Sequence, residues 1–505
     1  MILHKLPADC LQFEMREAIL HRLNLVYLLA LALFWGLSPA MITKVSAQEF
    51  SPDTSLEPAF RNYLKIRSVS GNEKPAGQFL QSLAASRGLN TNCLLCTDST
   101  VNIAISLYPL EEKKPSVILL SHLDVVDAPD SADWHSPPFG AFQSDSDIVA
   151  RGAVDAKGLT FMHLGALLAF REKHKNDSLP FNVVVLAVCD EETGGEKGAK
   201  LIAERKLDLL QPWMVIGEGG SGITGLIPSR PATPVFGISV SEKVNLWLRL
   251  DLKFSSFGHG AAPPDSYVNK DMMKALHKLS QIEGRPEFNS TTRRMFKELG
   301  RMEGGLKGWF ISHLPSRFFR PMVKKLMRRE PVLSSMLQNT AVMTNIFNPP
   351  GPPNKISNKA TVFLDCRLLP ETRIRRFIRE IRYGLIEPRF KVSIINEGPL
   401  AEESNPDLAE FKCLANAILG VYPEAEAAPF LFPASSDNNY FRQFGIPTYG
   451  ITPVVMSRTD LESIHGTDER IKLDDLRRGE EIFFRFLKNA EGLRPKLYFT
   501  PVGNR

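Results

Sequence analysis

The chain has 505 residues, 43% hydrophobic and 23% charged, with a formal net charge of +5. This is the balance of a globular protein with room for two or more domains, and it excludes disordered and collagen-like classes. So small a positive excess, with no RRM or zinc-finger spacing, leaves nucleic-acid binding without support.

At the N-terminus, Arg16, His21 and Arg22 precede an uncharged stretch from Leu23 to Thr43, and Val45-Ser46-Ala47 follows it. A basic flank, an apolar centre and a small-x-small ending describe an export signal cleaved after Ala47, with Met15 as an alternative start. The stretch also reaches the roughly 20 residues that a membrane helix needs, so a retained anchor is the second reading of residues 1–47. Either reading places the remainder outside the cytoplasm: secreted, periplasmic, or anchored and facing outward. Six cysteines are too few for a disulfide scaffold. Cys93-x-x-Cys96 reads as ordinary thiols or one local disulfide.

From Pro115 the pattern is strand, loop, helix, strand. Val117–Leu120 is a short apolar run, Leu159–Phe170 has helical apolar spacing, and Phe181–Val188 is a continuous apolar, β-branched run. Such strands alternating with helices predict a parallel sheet covered on both faces, to which Trp213–Ile216 adds another short buried strand. Near Glu242 the texture changes, because Asn245–Phe254 alternates apolar and polar as a half-exposed antiparallel strand does. A second domain is predicted over 242–398. It holds helices near Met272–Ile282 and Leu299–Met327, a Pro-rich loop at 349–353, and strands Thr361–Leu368 and Phe390–Asn396. The parallel texture then returns with a helix over Pro406–Leu419, a strand near Thr448–Ile451 and a closing helix Leu473–Lys488. The expected architecture is α/β: a mostly parallel sheet sandwiched by helices, built from 48–241 and 399–505, with an inserted α+β lid.

In sheets of this kind functional residues gather just past the carboxyl ends of strands. After Leu120 stands Ser121-His122-Leu123-Asp124, after Val188 stands Cys189-Asp190-Glu191-Glu192, and after Ile216 stands Gly217-Glu218-Gly219-Gly220. Asp155 opens the helix after the first strand, and His465 precedes Gly466-Thr467-Asp468-Glu469 near the end. Histidines and carboxylates without cysteine are the ligand set of catalytic zinc, which keeps positions open for water and substrate. Gly194-Gly195-Glu196-Lys197-Gly198 lacks the Walker spacing, and no Gly-x-Ser-x-Gly elbow occurs.

These stretches resemble the di-zinc metallopeptidase family that includes aminoacylase, glutamate carboxypeptidase and carboxypeptidase S. The resemblance runs from about Ser51 to Lys488 and is densest in Trp134-x-x-Pro137-Pro138-Phe139 and Ala150-Arg151-Gly152-Ala153-Val154-Asp155-Ala156-Lys157-Gly158. It implies two zinc ions per chain, replaceable by cobalt or manganese. His122 and Glu218 would be ligands of one ion, Glu192 and His465 of the other, and Asp155 the bridge between them. Asp124 would orient the histidine and Glu191 would be the general base. His259, in Ser256-Phe257-Gly258-His259-Gly260, would stabilise an oxyanion from the lid, while Asn354 and Arg367 would hold the substrate's carboxylate. Where many relatives carry Asp-Glu-Gly, this chain carries Gly217-Glu218-Gly219, which makes Glu218 the departure to watch.

The implied reaction is hydrolysis, or its reversal, at an amide bond next to a free carboxylate in an N-acyl amino acid or small peptide. The implied enzyme is a monomer or homodimer. A non-catalytic binder that keeps the fold is the rival reading, opposed by the presence of Glu191 beside the full ligand set. Residues 291–330 hold eleven Lys or Arg against three Glu, interleaved with aromatic and aliphatic residues. They resemble the lid helices of the carboxypeptidase S branch, which includes enzymes of fatty-acyl amino acids. That resemblance implies a preference for long acyl groups, with the Phe318–Met327 face near the acyl chain or the membrane that supplies it.

Overall fold

The computed structural model describes residue 50 and residues 56–499, apart from residues 129–130, 145, 256–257, 282–283 and 386. The expected signal or anchor, 1–47, lies outside the described residues. Among the described residues no helix is long and apolar enough to cross a membrane. Cys93 and Cys96 are joined in a disulfide.

In chain order the strands are β1 (Asn90–Leu94), β2 (Asn102–Ser106), β3 (Ser116–His122), β4 (Phe142–Gln143), β5 (Asp147–Val149), β6 (Asn182–Val188), β7 (Pro212–Ile223) and β8 (Val235–Glu242). Then come β9 (Val244–Lys253), β10 (Thr340–Phe347), β11 (Lys359–Leu368), β12 (Lys391–Glu397), β13 (Glu426–Phe432), β14 (Thr448–Met456) and β15 (Arg470–Lys472). The main sheet runs β1-β2-β6-β3-β7-β14-β8-β13. β3 pairs in parallel with β6 and β7, β7 with β14, and β8 with β13, while β1 and β2 close one edge antiparallel.

Every residue of β6 is buried. Because successive side chains leave a strand on opposite faces, Val183, Val185 and Ala187 enter one core while Val184, Leu186 and Val188 enter another. The first core is covered by helices Lys157–Lys173, Ala409–Val421 and Leu473–Ala490, and the second by Ala199–Arg205 and Asn438–Arg442. A continuous apolar run is what a strand covered on both faces requires.

A second, antiparallel sheet, β10-β11-β9-β12, forms the lid. Leu246, Leu248, Leu250 and Leu252 of β9 point to one side with Val362, Leu364 and Cys366 of β11. There they meet the helices Val268–Ser280 and Ile374–Leu385 in a core of their own. The small sheet β15-β5-β4 ties the chain just after His465 to the stretch just before Asp155, with Arg470 opposite Val149.

Two expectations are corrected. The helical stretch over Leu299–Met327 is three helices, Ser290–Glu303, Gly305–His313 and Arg320–Met327. It breaks where Gly304 and Gly305 take φ of 70° and 57°, and again around Pro315. The strand expected at Trp213–Ile216 continues to Ile223 through a glycine-rich stretch that reads as a loop. The glycines are there for close approach: a Cβ on Gly219 would stand 2.6 Å from the Gly450 backbone, and one on Gly220 would stand 1.9 Å from the Gly237 carbonyl oxygen. Pairing with β14 slips here, Gly217 facing Gly450 and Gly220 facing Ile451, so Glu218 lies in a bulge inside the strand.

Gly220→Ala should therefore cost about 1–3 kcal/mol by overpacking, while Gly351→Ala, where only the end of Lys355 comes near, should stay within about 0.5 kcal/mol. Urea midpoints at unchanged m-value measure both. Equal midpoints would mean that the strand at Gly220 is not packed as described.

Candidate active site

Adjacency of β6, β3 and β7 brings three strand ends together. His122 is the last residue of β3 and is buried; its Nδ1 donates to the Asp124 backbone carbonyl at 2.9 Å. That bond leaves Nε2 facing Asp155 Oδ1 at 2.9 Å and Glu218 Oε2 at 3.3 Å. Asp155 turns its other oxygen to His465 Nε2 at 3.0 Å, and His465 Nε2 also lies 3.2 Å from Glu192 Oε2. Two groups of potential ligands result, His122 with Asp155 and Glu218, and Asp155 with Glu192 and His465. A third grouping, His122 with Glu191 and Glu192, takes in Glu191 as well. A Cβ at Gly217 would stand 2.1 Å from Asn438 Oδ1, so position 217 faces a packed wall while Glu218 faces the histidine.

Asp124 is placed differently from expectation. Its carboxylate lies 3.6 Å from His122 Nδ1, too long for a hydrogen bond, and it is the main-chain carbonyl that fixes the ring. The carboxylate instead accepts the backbone N–H groups of Glu191 at 3.2 Å and Glu192 at 3.1 Å, and the Ser70 hydroxyl at 2.8 Å. Asp124 therefore orients the turn that carries the two glutamates.

The lid residues are only partly gathered. Arg367 of β11 donates from Nη1 to Ser435 Oγ at 2.6 Å, and Ser435 lines a pocket with Glu191, Asn245, Asp437 and Tyr440. His259 and Asn354, both exposed, pair with each other, Nε2 to Nδ2 at 3.1 Å. Neither joins the ligand groups found among the described residues.

Two buried carboxylates not singled out in the sequence hold the site together. Glu469 accepts the backbone N–H groups of Gly152, Val154 and Asp155 at 2.9–3.1 Å and pairs with Arg151 at 2.9 Å. It thereby clamps the loop that presents Asp155. Glu242 pairs with Arg442 at 2.8 Å and accepts from the Ser436 backbone and from Asn438, whose Nδ2 also donates to the Glu218 carbonyl. Neither pairing is legible in sequence, because Glu469 and Arg151 lie 318 residues apart and Glu242 and Ser436 lie 194 apart.

The electrostatics are those of a site short of positive charge. Burial alone would lower His122, but the carboxylates of Asp155 and Glu218 hold it well above the usual histidine range. Hydrogen bonds to Asp155 and Glu192 raise His465 to about 10. Burial and then the charge of Glu218 push Glu191 well up, and burial lifts Glu218 to about 7. Glu192 Oε1 is buried with no hydrogen-bond partner. A buried carboxylate with one oxygen beside the His465 imidazole and the other orphaned, within a nitrogen and oxygen donor set, fits a divalent metal ion.

The sequence profile of peptidase family M20/M25/M40 matches residues 118–489. The chain belongs to that family. It is 26% identical over 397 residues to mouse N-fatty-acyl-amino acid synthase/hydrolase PM20D1, covering 76% of each chain. It is 25% identical over 436 residues to mouse aminoacylase-1, covering 84% of this chain and 92% of the relative. Its fold matches the M20 family metallo-carboxypeptidase Sso-CP2 of Sulfolobus solfataricus with a TM-score of 0.67 at 20% identity, over 87% of this chain and 100% of the other. This M20 chain is thus a hydrolase-family enzyme with a cluster of candidate metal-binding residues.

Because the neighbouring carboxylates push both histidines up, His465 to about 10, loading zinc at pH 7.5 should release at least about two protons per chain, and affinity should fall as pH drops. Calorimetry in buffers of different ionisation enthalpy measures the release. His122→Ala with Asp155→Ala should abolish both heat and bound metal; metal retained by that double variant would show that the ion binds elsewhere.

Proposed function

We propose that the chain is a di-zinc hydrolase of amide bonds beside a free carboxylate, acting on N-acyl amino acids or on small peptides from their C-termini. Synthesis is the same chemistry reversed. The observation that carries this reading is Asp155, 2.9 Å from His122 and 3.0 Å from His465, one carboxylate between two histidines. His122, Asp155 and Glu218 would hold one ion and Asp155, Glu192 and His465 the other, with cobalt or manganese able to replace zinc. Bound zinc supplies a Lewis acid for the amide carbonyl and a water of lowered pKa.

The remaining steps belong to the chain's own residues. Glu191 takes the proton of the attacking water on its carboxylate and returns it to the nitrogen of the leaving amine. Asp124 keeps Glu191 and Glu192 apart in direction by holding both of their backbone N–H groups. Arg367, tied to Ser435 at the pocket beside Glu191, offers its planar fork to the substrate's carboxylate. Residues 242–398 act as a lid hinged near 241–244 and 397–400, against a catalytic part made of 48–241 and 399–505. Closure brings His259 to the oxyanion and Asn354 to the carboxylate. The non-catalytic alternative loses weight because Glu191 lines a pocket rather than a packed turn.

Residues 1–47 and the Cys93–Cys96 disulfide support a place outside the cytoplasm, secreted, periplasmic or anchored. The enzyme works as a monomer or homodimer. Similarity to the mouse N-fatty-acyl-amino acid synthase/hydrolase supports long apolar acyl groups as substrates.

Glu191→Gln preserves shape and removes the proton acceptor, so turnover should fall by at least about 100-fold with zinc still bound. Loss of zinc together with turnover would make Glu191 a ligand rather than the base. A second measurement compares kcat/KM for acetyl, octanoyl and oleoyl conjugates of one amino acid. The value should rise with acyl length, and a flat or acetyl-favouring series would leave a short-chain aminoacylase or dipeptidase.

A further inference from the structure

Folding buries one side of the lid's helical segment and leaves the other unused. Val323 and Met327, from the helix Arg320–Met327, join Met295, Phe296 and Leu314 in a closed core, with Phe319 packed at its margin. Outside that core the rings continue. Phe319 meets Phe318 at 5.1 Å and Phe310 at 5.7 Å between centroids, and Trp309 lies 5.3 Å from Phe310. These contacts make a single cluster rather than scattered residues. Phe318 is 84% exposed, Trp309 51% and Phe310 48%, with Leu306 at 83%. A contiguous aromatic surface of this kind marks an interaction site.

Its charge says what it meets. Between Glu303 and Glu330 the chain has no acidic residue, while Lys307, Arg317, Arg320, Lys325 and Arg329 are all exposed. A two-fold contact with a second copy would set this basic collar against itself. An anionic lipid surface answers both features at once, apolar rings entering the headgroup boundary and cations staying at the phosphates. We propose that the cluster Trp309, Phe310 and Phe318, with its Arg and Lys collar, is a docking surface for an anionic phospholipid bilayer. The inference does not depend on the hydrolytic reading, since it uses none of the residues assigned to the metal site or pocket.

The test uses the full chain with vesicles of phosphatidylcholine alone or with about three-tenths phosphatidylglycerol, carrying brominated acyl chains that quench nearby tryptophan. Subtracting the signal of Trp309→Phe isolates Trp309, so that quenching elsewhere, including near the N-terminus, does not count. Trp309 should be quenched on anionic vesicles. That component should fall about tenfold on neutral vesicles, at high salt, and in Arg317→Glu with Arg320→Glu and Lys325→Glu. Absence of Trp309 quenching on anionic vesicles would overturn the proposal, as would equal quenching on neutral ones. A dimer in sedimentation that dissociates with Phe310→Ser and Phe318→Ser would also overturn it, by making a second copy the occupant. None of these three results would touch the Glu191→Gln or acyl-series outcome.

Discussion

Repulsion among carboxylates is the constraint around which the active-site half of this molecule is built. Asp155, Glu192 and Glu218 converge on two histidines, and Glu191 and Asp437 line the adjoining pocket. Burial pushes Glu191 and Asp437 well above the ordinary carboxylate range, while the histidines outweigh burial at Asp155 and hold it far below. Such a cluster is unfavourable by itself and becomes stable only with added positive charge, from protons or from metal ions. The fold must therefore supply enough rigidity elsewhere to keep the carboxylates from separating.

That rigidity comes from two buried ion pairs, one beside Asp155 and one beside Glu218. Glu469 with Arg151 clamps the backbone before Asp155, and Glu242 with Arg442 clamps the segment 436–438, which in turn holds the Glu218 carbonyl through Asn438. Both glutamates accept several backbone or side-chain donors, so their charges are compensated. Of the candidate metal-binding carboxylates, Glu192 keeps one buried oxygen, Oε1, without a hydrogen-bond partner.

The lid obeys a different logic. It has a core of its own in β9, β11 and two helices, and its helical segment also packs on the main sheet, Met302 against Ile227, Val235 and Ala428. Arg367 already touches the pocket through Ser435, whereas His259 and Asn354 are held together away from it. A lid with one residue engaged and two waiting matches a site completed by closure. The basic aromatic surface belongs to the same lid but uses none of these residues.

Local sequence determined the strands and the candidate metal-binding residues at their ends. Val117–Leu120 and Phe181–Val188 are legible because a strand buried on both faces must be apolar throughout, and His122, Glu191 and Glu192 are legible because they interrupt that pattern at once. The half-exposed alternation of Asn245–Phe254 marked the start of the lid for the same kind of reason. Only the tertiary structure decided how far β7 runs, because its glycines read as a loop until Gly450 and Gly237 are seen pressed against them. Only it decided that the Asp124 carboxylate serves the Glu191 turn while the Asp124 carbonyl holds His122, since a carbonyl and a carboxylate of one residue cannot be told apart by spacing. The roles of Glu469 and Glu242 were invisible for a related reason. Each is an ordinary glutamate in sequence, and what buries and pairs it is an arginine or a row of N–H groups hundreds of residues away that chain folding alone brings near.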